Sequence, residues 1–476
     1  MKNQYDAIVV GSGPNGLAAA ITLQQNGLHT LLLEGSDSIG GGMRTKELTL
    51  PGFKHDVCSA IHPMGIASPF FQSLALDQYG LEWIYPEIAA AHPLLNGSSG
   101  LLFNDFETTK QYLGKDAQVY SQLISTVKDH WQTIGKDSLG PLRFPSAAVP
   151  FIKFGLNAIQ PASWTAKKFK TEEGRALWAG MAAHGIQPLN NMTTSAIAIV
   201  LMGLANRYGW PIPKGGSQSI ADALANYYTS IGGEIKKEFW LNDMHDLPKH
   251  KLLFLNLTPH QIIKIKGLEL GKSYTRQLKR YKQGMGVFKI DFSLSDPTPF
   301  KNKLLQKAGT IHIGNTYEEI ARNELLTSKG KHVAKPFVLF SQPSLFDKTR
   351  APEGKHVGWA YCHVPNGSLV DMSERIENQI ERYAPGFRDT IIDKHSFNTL
   401  ELESYNPNYI GGDINGGIMD LSQLYTRPTF RFTPYRTSLK NVYICSSATP
   451  PGAGVHGMSG FHAAKVALKD HYNISI

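Results

Sequence analysis

Tyr5 to Val10 (YDAIVV) is a short apolar run rich in β-branched residues, with turn-forming residues directly behind it. Such a run predicts a buried strand. LAAAITLQQNGL, Ala-rich and closed by Asn26-Gly27, predicts a helix, and HTLLLEG predicts a second buried strand ending at Glu34. From about Gln72 to Asn206 helical spacing dominates, as in VYSQLISTVKDHWQTIG and EGRALWAGMAAHG. The Gly-rich stretch GWPIPKGGSQS, starting at Gly209, then leads into the helix SIADALANYYTSIGG and two strand-like runs, GEIKKEFW and KLLFLNLTP. From Gly284 onward alternation takes over: GVFKIDFSLSD, GTIHIG, PFVLFSQPS and HVGWAYCHVP predict strands of one sheet. The chain ends on a strand (NVYICSS), a Gly-rich turn and a helix (GFHAAKVALKDHY), and no internal repeat or low-complexity tract interrupts it.

The turn after the first strand carries chemistry. Gly11-Ser-Gly13-Pro14-Asn15-Gly16 completes a strand, G-x-G-x-x-G, helix, strand, acid series, with Glu34 eighteen residues after Gly16. Gly11 permits the tight turn, Gly13 lets backbone N–H groups approach a pyrophosphate, and Gly16 lets helix and strand pack closely. The helix N-terminus adds partial positive charge for phosphates, and Glu34 can accept hydrogen bonds from a ribose. The motif leaves NAD and FAD open. Gly40-Gly41-Gly42-Met43-Arg44 follows the acid closely. A second loop of this kind suits the extended FAD, with Arg44 reaching the pyrophosphate; the plain alternative is a flexible loop with a surface arginine.

At 476 residues, 42% hydrophobic and 18% charged, the chain exceeds one ordinary core. Strand formation from Tyr5 leaves no room for a signal peptide, and the longest apolar run, Ser195 to Ala205, is too short to span a bilayer. Cys58, Cys362 and Cys445 form no C-x-x-C, which excludes a zinc knuckle and a dithiol relay and fits a reducing cytoplasm. Nor is there an H-E-x-x-H or a Ser-His-Asp pattern, so neither a metal nor a nucleophilic hydrolase site is expected. The net charge of +9 gathers in Lys264 to Lys282 and at Lys167, Lys168 and Lys170 without a nucleic-acid-binding module, so the first run reads as a solvated helix face. The second adjoins the apolar, Pro-interrupted segment 145–164. That segment has two readings, a cap over a substrate cavity or a peripheral contact with an anionic membrane surface.

Longer stretches sharpen the picture: VVGSGPNGLAAA, GWPIPKGGSQSIADAL, GTIHIG, QPSLFDKTRAPEGKH, GGDINGG and LYTRPTFRFTPYRTSLKNVYICSSATPPGAGVHGMSG. On these, from residue 5 to about 466, the chain resembles the phytoene desaturase-like family of FAD-dependent oxidoreductases, nearest its branch named for pyridine nucleotide-disulfide oxidoreductase domain-containing protein 2. Ser446-Ser447-Ala448 stands where that family commonly has a Gly. The resemblance implies an α/β fold of amine oxidase/phytoene desaturase-like architecture, a Rossmann-type FAD-binding domain interleaved with a substrate domain of mixed sheet plus helices. FAD-binding parts would then be 1–72, 207–262 and 405–476, with a helical cap over 73–206 and the substrate sheet over 263–404.

It also implies that both chain ends hold one FAD. Gly454, Val455, His456, Gly457 and Met458 would approach the flavin, with N–H groups of the last helix facing its pyrimidine edge, and Thr258 would lie near the adenosine. A second dinucleotide would need a strand after GAGVHGMSG, and none follows. Lys289 resembles the strand lysine that holds a water at the flavin in amine oxidases; the plain reading is an edge-strand lysine in solvent. His456 is a candidate acid or base, or a structural hydrogen-bonding group. Tyr361, His363, Tyr405 and Tyr409 are candidate cavity liners, and Asp413 either faces the cavity or forms a turn. The implied reaction takes a hydride from a C–H bond of a small, largely apolar substrate and passes electrons to oxygen or a quinone. An amine or amino-acid oxidase, or a non-redox isomerase or FAD-binding protein, are the alternatives.

Overall fold

The computed structural model describes residues 4–424 and 426–476; Met1 to Asn3, and Tyr425 inside LYTRPTF, lie outside them. Strands of the two principal sheets, in chain order, are β1 (Tyr5–Val10), β2 (Thr30–Leu33), β3 (Ile88–Pro93), β4 (Ser99–Phe103), β5 (Glu234–Lys236) and β6 (His250–Leu255). They continue with β7 (Gly286–Leu294), β8 (Ala308–Ile313), β9 (Val338–Ser341), β10 (His356–Val364), β11 (Ile391–Phe397) and β12 (Val442–Ile444). The helices that shape the site are α1 (Pro14–Gln25), α2 (Ala117–Ser138), α3 (Ala148–Ala158), α4 (Glu172–Ala183), α5 (Thr194–Tyr208), α6 (Gln218–Ser230) and α7 (Met458–Tyr472).

The first sheet is parallel throughout, in the order β12-β6-β1-β2-β5. Ala7, Val9 and Leu32 face a core shared with α1, α6 and α7, while Ile8, Val10, Leu31 and Leu33 face a second core with Ile262, Tyr274 and Leu278. Covered on both sides, these strands read as unbroken apolar runs rather than alternating ones. The carboxyl end of β1 is where chain direction across the sheet reverses, β2 lying on one side and β6 on the other, which is the usual crevice for a ligand in such sheets.

The second sheet runs β11-β7-β10-β9-β8-β3-β4, antiparallel except where β3 pairs with β8. Period-two alternation splits it cleanly. Phe288, Ile290, Phe292, Phe340, Ala360 and Cys362 pack on the outer core with Ile376 and Ile380, whereas Val287, Leu339, Trp359 and Tyr361 face the first domain. Two of its strands correct the expected layout, because β3 and β4 arise within the span read as helical. IAAAHP is fully buried and Ala-rich, so it shows neither alternation nor β-branched enrichment. Strand β11, equally unforeseen, closes the far edge.

The two ends of the chain meet backbone to backbone. A Cβ on Gly16 would stand 1.8 Å from the Gly11 carbonyl oxygen, and one on Gly460, in the first turn of α7, 1.7 Å from the Asn15 carbonyl oxygen. Only glycine lets α1 sit on its own turn and α7 on α1. Gly460→Val is therefore expected to destabilise the chain by about 3 kcal/mol or more, as overpacking against rigid backbone does. Urea unfolding at matched m-values reads this directly, and unchanged stability would refute the close approach.

Candidate functional site

A cavity of about 870 Å³ runs from the first sheet's crevice to the inner face of the second sheet. At one end its wall is the turn Gly11–Asn15 with Glu34, Gly41, Gly42 and Arg44, joined by Asn256, Thr258 and Trp240. Gly11 has φ +95° and Gly41 φ +57°, and a Cβ on Gly41 would lie 3.0 Å from the Gly13 Cα, so the wall here is bare backbone by steric necessity. Asn256 at the end of β6 holds the turn by donating to the Gly11 carbonyl at 3.1 Å. Glu34 accepts from the Ser12 N–H at 2.9 Å and its hydroxyl at 2.5 Å, and from the Ser36 N–H at 2.9 Å. Its remaining partner is Arg44, 3.0 Å away, whose guanidinium also lies over the Tyr405 ring. Thus the arginine after the glycine cluster is buried against the acid, not a loose surface group. Among the described residues the buried Arg44 Nε and Thr258 hydroxyl have no partner, as expected of a wall that binds a polar ligand.

The C-terminal turn reaches the same cavity through Gly454 and Val455. His456, Gly457 and Met458 lie behind that wall. The His456 ring is completely buried and bridges its own turn, with Nδ1 accepting from the Met458 N–H at 3.1 Å and Nε2 donating to the Ala453 carbonyl at 3.2 Å. Gly457 packs against Ala18, Phe70 and Phe71. The first N–H of α7 is consumed by His456, so the expectation of N–H groups through Met458 facing a ligand is corrected, and His456 is a structural clamp rather than an acid or base. Gly16 also sits off the wall, where helix packing needs it.

The plain reading of Lys289 as an exposed edge residue is corrected. Strand β7 lies between β11 and β10, so Lys289 is no edge residue, and its side chain is buried. Its ammonium pairs with Asp291, two residues along the same face. Lys289 borders a void of about 10 Å³, separated from the principal cavity by Cys58, Tyr361 and Ile414, which line both. Burial pushes the Asp291 pKa up to about 6 even with Lys289 beside it. Behind this pair, Asp56 accepts from Ser217 N–H, Thr45 hydroxyl and Arg350 at 2.7 to 2.8 Å. Burial, the largest single influence, would raise the Asp56 pKa, but the Arg350 guanidinium together with the hydrogen bonds from Ser217 and Thr45 outweighs it and the net shift is downward. Tyr361, Tyr405 and Tyr409 do line the cavity, whereas His363 is turned to Glu324 at 2.8 Å. Asp413 closes a turn by accepting from the N–H groups of Gly284, Asn415 and Gly417.

The other end of the cavity was not legible in the sequence. His184 at the end of α4, His62, Trp210, Thr310 and Trp359 line it, together with Phe151, Phe154, Gly155 and Ala158 of α3. A histidine closing a helix and a Trp on a strand carry no local signal of facing a ligand. Helix α3 is a cap on its inner side, while Val149, Ile152 and Leu156 on its outer side are 78%, 56% and 65% exposed. Among the described residues no helix is long and apolar enough to cross a membrane, and no cluster of His, Cys, Asp or Glu suits a metal.

Comparison with known proteins agrees with this geometry. Residues 9–74 match the family described as NAD(P)-binding Rossmann-like domain. Pyridine nucleotide-disulfide oxidoreductase domain-containing protein 2 of Mus musculus is 25% identical, covering 100% of this chain and 95% of that protein. The lycopene-forming phytoene desaturase of Pseudescherichia vulneris is 23% identical over 97% and 98% of the two chains. The chain is an FAD-dependent oxidoreductase related to the phytoene desaturases. An oxidoreductase structure from Methanosarcina mazei shares the fold of this flavin-dependent oxidoreductase, with a TM-score of 0.65 at 16% identity over 96% and 98% of the chains. The fit to FAD rests on the site itself: a glycine cradle that a Cβ would fill, an acid at the end of β2, and orphaned donors at Arg44 and Thr258.

Two outcomes follow from the buried charges. Lys289→Met leaves Asp291 without its cation and is expected to cost about 3 kcal/mol, much of it recovered in the Lys289→Met/Asp291→Asn double variant. A double-mutant cycle in urea measures the coupling, and additive single effects would exclude it. The second concerns acid. Burial holds His55 and His184 at about 3, and His62, His92, His456 and His462 at about 4, against 6.5 when free. Below pH 6.5 the unfolded chain therefore binds more protons than the folded one, so stability falls as pH falls from about 6.5 towards 4. Each histidine contributes up to about 1.4 kcal/mol per pH unit, and Asp291 and Asp413, both raised by burial, act in the opposite sense. Urea midpoints that hold steady from pH 7 to pH 5 would contradict neutral burial.

Proposed function

We propose that this oxidoreductase dehydrogenates a C–H bond of a small, uncharged and largely apolar substrate, with oxygen or a quinone as electron acceptor. One observation carries the reading. Among the described residues the charged side chains on the cavity wall are Glu34, Arg44 and Lys264, all at the dinucleotide end, while the α3 and second-sheet end is uncharged and mostly aliphatic or aromatic, with His62, His184 and Thr310 as its neutral polar groups. An amino-acid oxidase needs a cation for its substrate's carboxylate and an ammonium-binding site favours an anion. Neither is supplied at that end, which weighs against the amine and amino-acid alternatives.

In this reading Gly11, Gly13, Pro14, Asn15, Gly41 and Gly42 give backbone approach to the pyrophosphate, Glu34 accepts from the ribose, Arg44 and Thr258 donate, and Gly454 and Val455 border the flavin. Gly16, Gly457 and Met458 support these contacts through packing. Bound FAD supplies a two-electron acceptor; the chain's own part is to hold the substrate in a dry pocket and to keep Lys289, Asp56 and Arg350 paired behind the wall. The outer face of α3, apolar and followed by Lys167, Lys168 and Lys170, suits peripheral contact with an anionic membrane from which an apolar substrate would enter.

The test is anaerobic mixing of the holoprotein with neutral apolar compounds, monocyclic to long polyene, against primary amines and amino acids. Bleaching of the flavin band by neutral compounds is expected, and bleaching by charged ones alone would overturn the proposal. Glu34→Arg, which places unpaired like charges beside Arg44, is expected to lose most of its FAD; near-normal flavin content would remove Glu34 from the site.

A further inference from the structure

His184 and His312 form a pair that the proposed chemistry does not use. His184 follows the last turn of α4 and lines the substrate end of the cavity. His312 stands on β8, completely buried. Their Nε2 atoms are 2.9 Å apart, so one ring must donate to the other. Enclosure holds both rings neutral at pH 7, with the His184 pKa lowered to about 3 and that of His312 well below its ordinary value. Each ring therefore carries one proton, and the position of each is decided by what surrounds the pair.

His312 decides it. Its Nδ1 is buried with no partner among the described residues, pressed against α4 where a Cβ on Gly180 would come within 2.5 Å. If the His312 proton sat on Nδ1, a buried N–H would be orphaned; if it sits on Nε2, only a lone pair is. Orphaned N–H groups are the rarer and costlier case. The neighbouring His92 shows that this interior accepts an orphaned ring lone pair. Its Nε2 must donate to the Asn315 carbonyl at 2.6 Å, which leaves a buried Nδ1 lone pair unpartnered. With the proton on His312 Nε2, His184 Nε2 accepts, and the His184 proton resides on Nδ1, the nitrogen left for the cavity.

The consequence concerns the substrate. A fixed donor in an uncharged, largely apolar wall, near the Thr310 hydroxyl and the Trp359 N–H, recognises a neutral oxygen lone pair and disfavours a ligand that leaves it unpaired. Building on the proposed apolar substrate, we infer that the substrate carries an uncharged oxygen acceptor, a carbonyl or hydroxyl oxygen, on its apolar body, bound by His184 Nδ1–H while His312 fixes the tautomer. His184 is thus a substrate-binding residue and His312 a positioning residue.

The experiment uses FAD-loaded protein and two probes: benzylacetone, and its isostere with a methylene in place of the carbonyl oxygen. Benzylacetone is expected to bind about tenfold more tightly, the equivalent of one hydrogen bond at about 1.4 kcal/mol, and carbonyl-labelled probe to show a downfield carbon shift when bound. His184→Phe should erase the preference, His312→Leu should reduce it, and His312→Gln, whose amide can still donate to His184, should retain it. Long-range proton–nitrogen spectra of the wild type, with His184 identified by its loss in the variant, should show the Nδ1-protonated form. Equal affinity for the two probes, or an Nε2-protonated His184, overturns this inference alone. Failure of both probes to bind overturns the apolar-cavity reading and this inference with it.

Discussion

The contact on which the structure depends is one of backbone with backbone. Where β1 ends, the Gly11 carbonyl lies under Gly16, and the Asn15 carbonyl lies under Gly460 of the last helix. No side chain can enter either gap. This fixes α1 on its turn, brings α7 onto α1, and so places the C-terminal turn at Gly454 and Val455 on the same cavity as Gly11 and Gly13. The two Gly-rich ends of the chain serve one site because the packing of two helices leaves no other arrangement.

Behind the cavity the two domains are tied by buried charge as well as by the apolar face of Val287, Leu339, Trp359 and Tyr361. Asp56, from the loop that follows the glycine cluster, receives Arg350 from the second domain, and Ser217 from the start of α6. Asp291 and Lys289 of β7 sit beside His55, whose Nδ1 lies 3.6 Å from Asp291. Such groups contribute little net stability when paired and cost several kcal/mol when one is removed. Their effect is to fix how the second sheet meets the first, and hence the shape of the wall between them. The same pairing keeps the Lys289 ammonium away from the cavity.

The cavity is polar at one end and apolar at the other. Glu34, Arg44 and the bare glycine wall suit a charged dinucleotide, while α3, α5 and the inner face of the second sheet present aromatic and aliphatic side chains with His184 among them. Helix α3 serves both sides at once, its inner residues closing the pocket and its outer ones meeting solvent. The readings of segment 145–164 as a cap and as a surface for an apolar environment therefore concern different faces of one helix.

By itself the sequence determined the first sheet, the glycine turn and its acid, and the resemblance that joined the two ends. These features are local: a strand, a φ that only glycine adopts, and a helix of set length repeat in fixed spacing wherever a dinucleotide is cradled. It also determined the strands of the second sheet from β7 to β10, whose alternation records one face in each core. Only the tertiary structure decided the rest. Strands β3 and β4 are buried on both faces and lack alternation, so nothing in their composition separates them from the helices around them. Lys289 and His456 lie in suggestive motifs, yet Asp291 holds one and the Met458 N–H occupies the other, partners chosen by side-chain direction and not by spacing. His184 meets His312 across 128 positions of chain, and its place on the wall follows from Gly180 admitting the His312 ring against α4. Long-range contacts of that kind depend on how two surfaces fit, which no short stretch of sequence encodes.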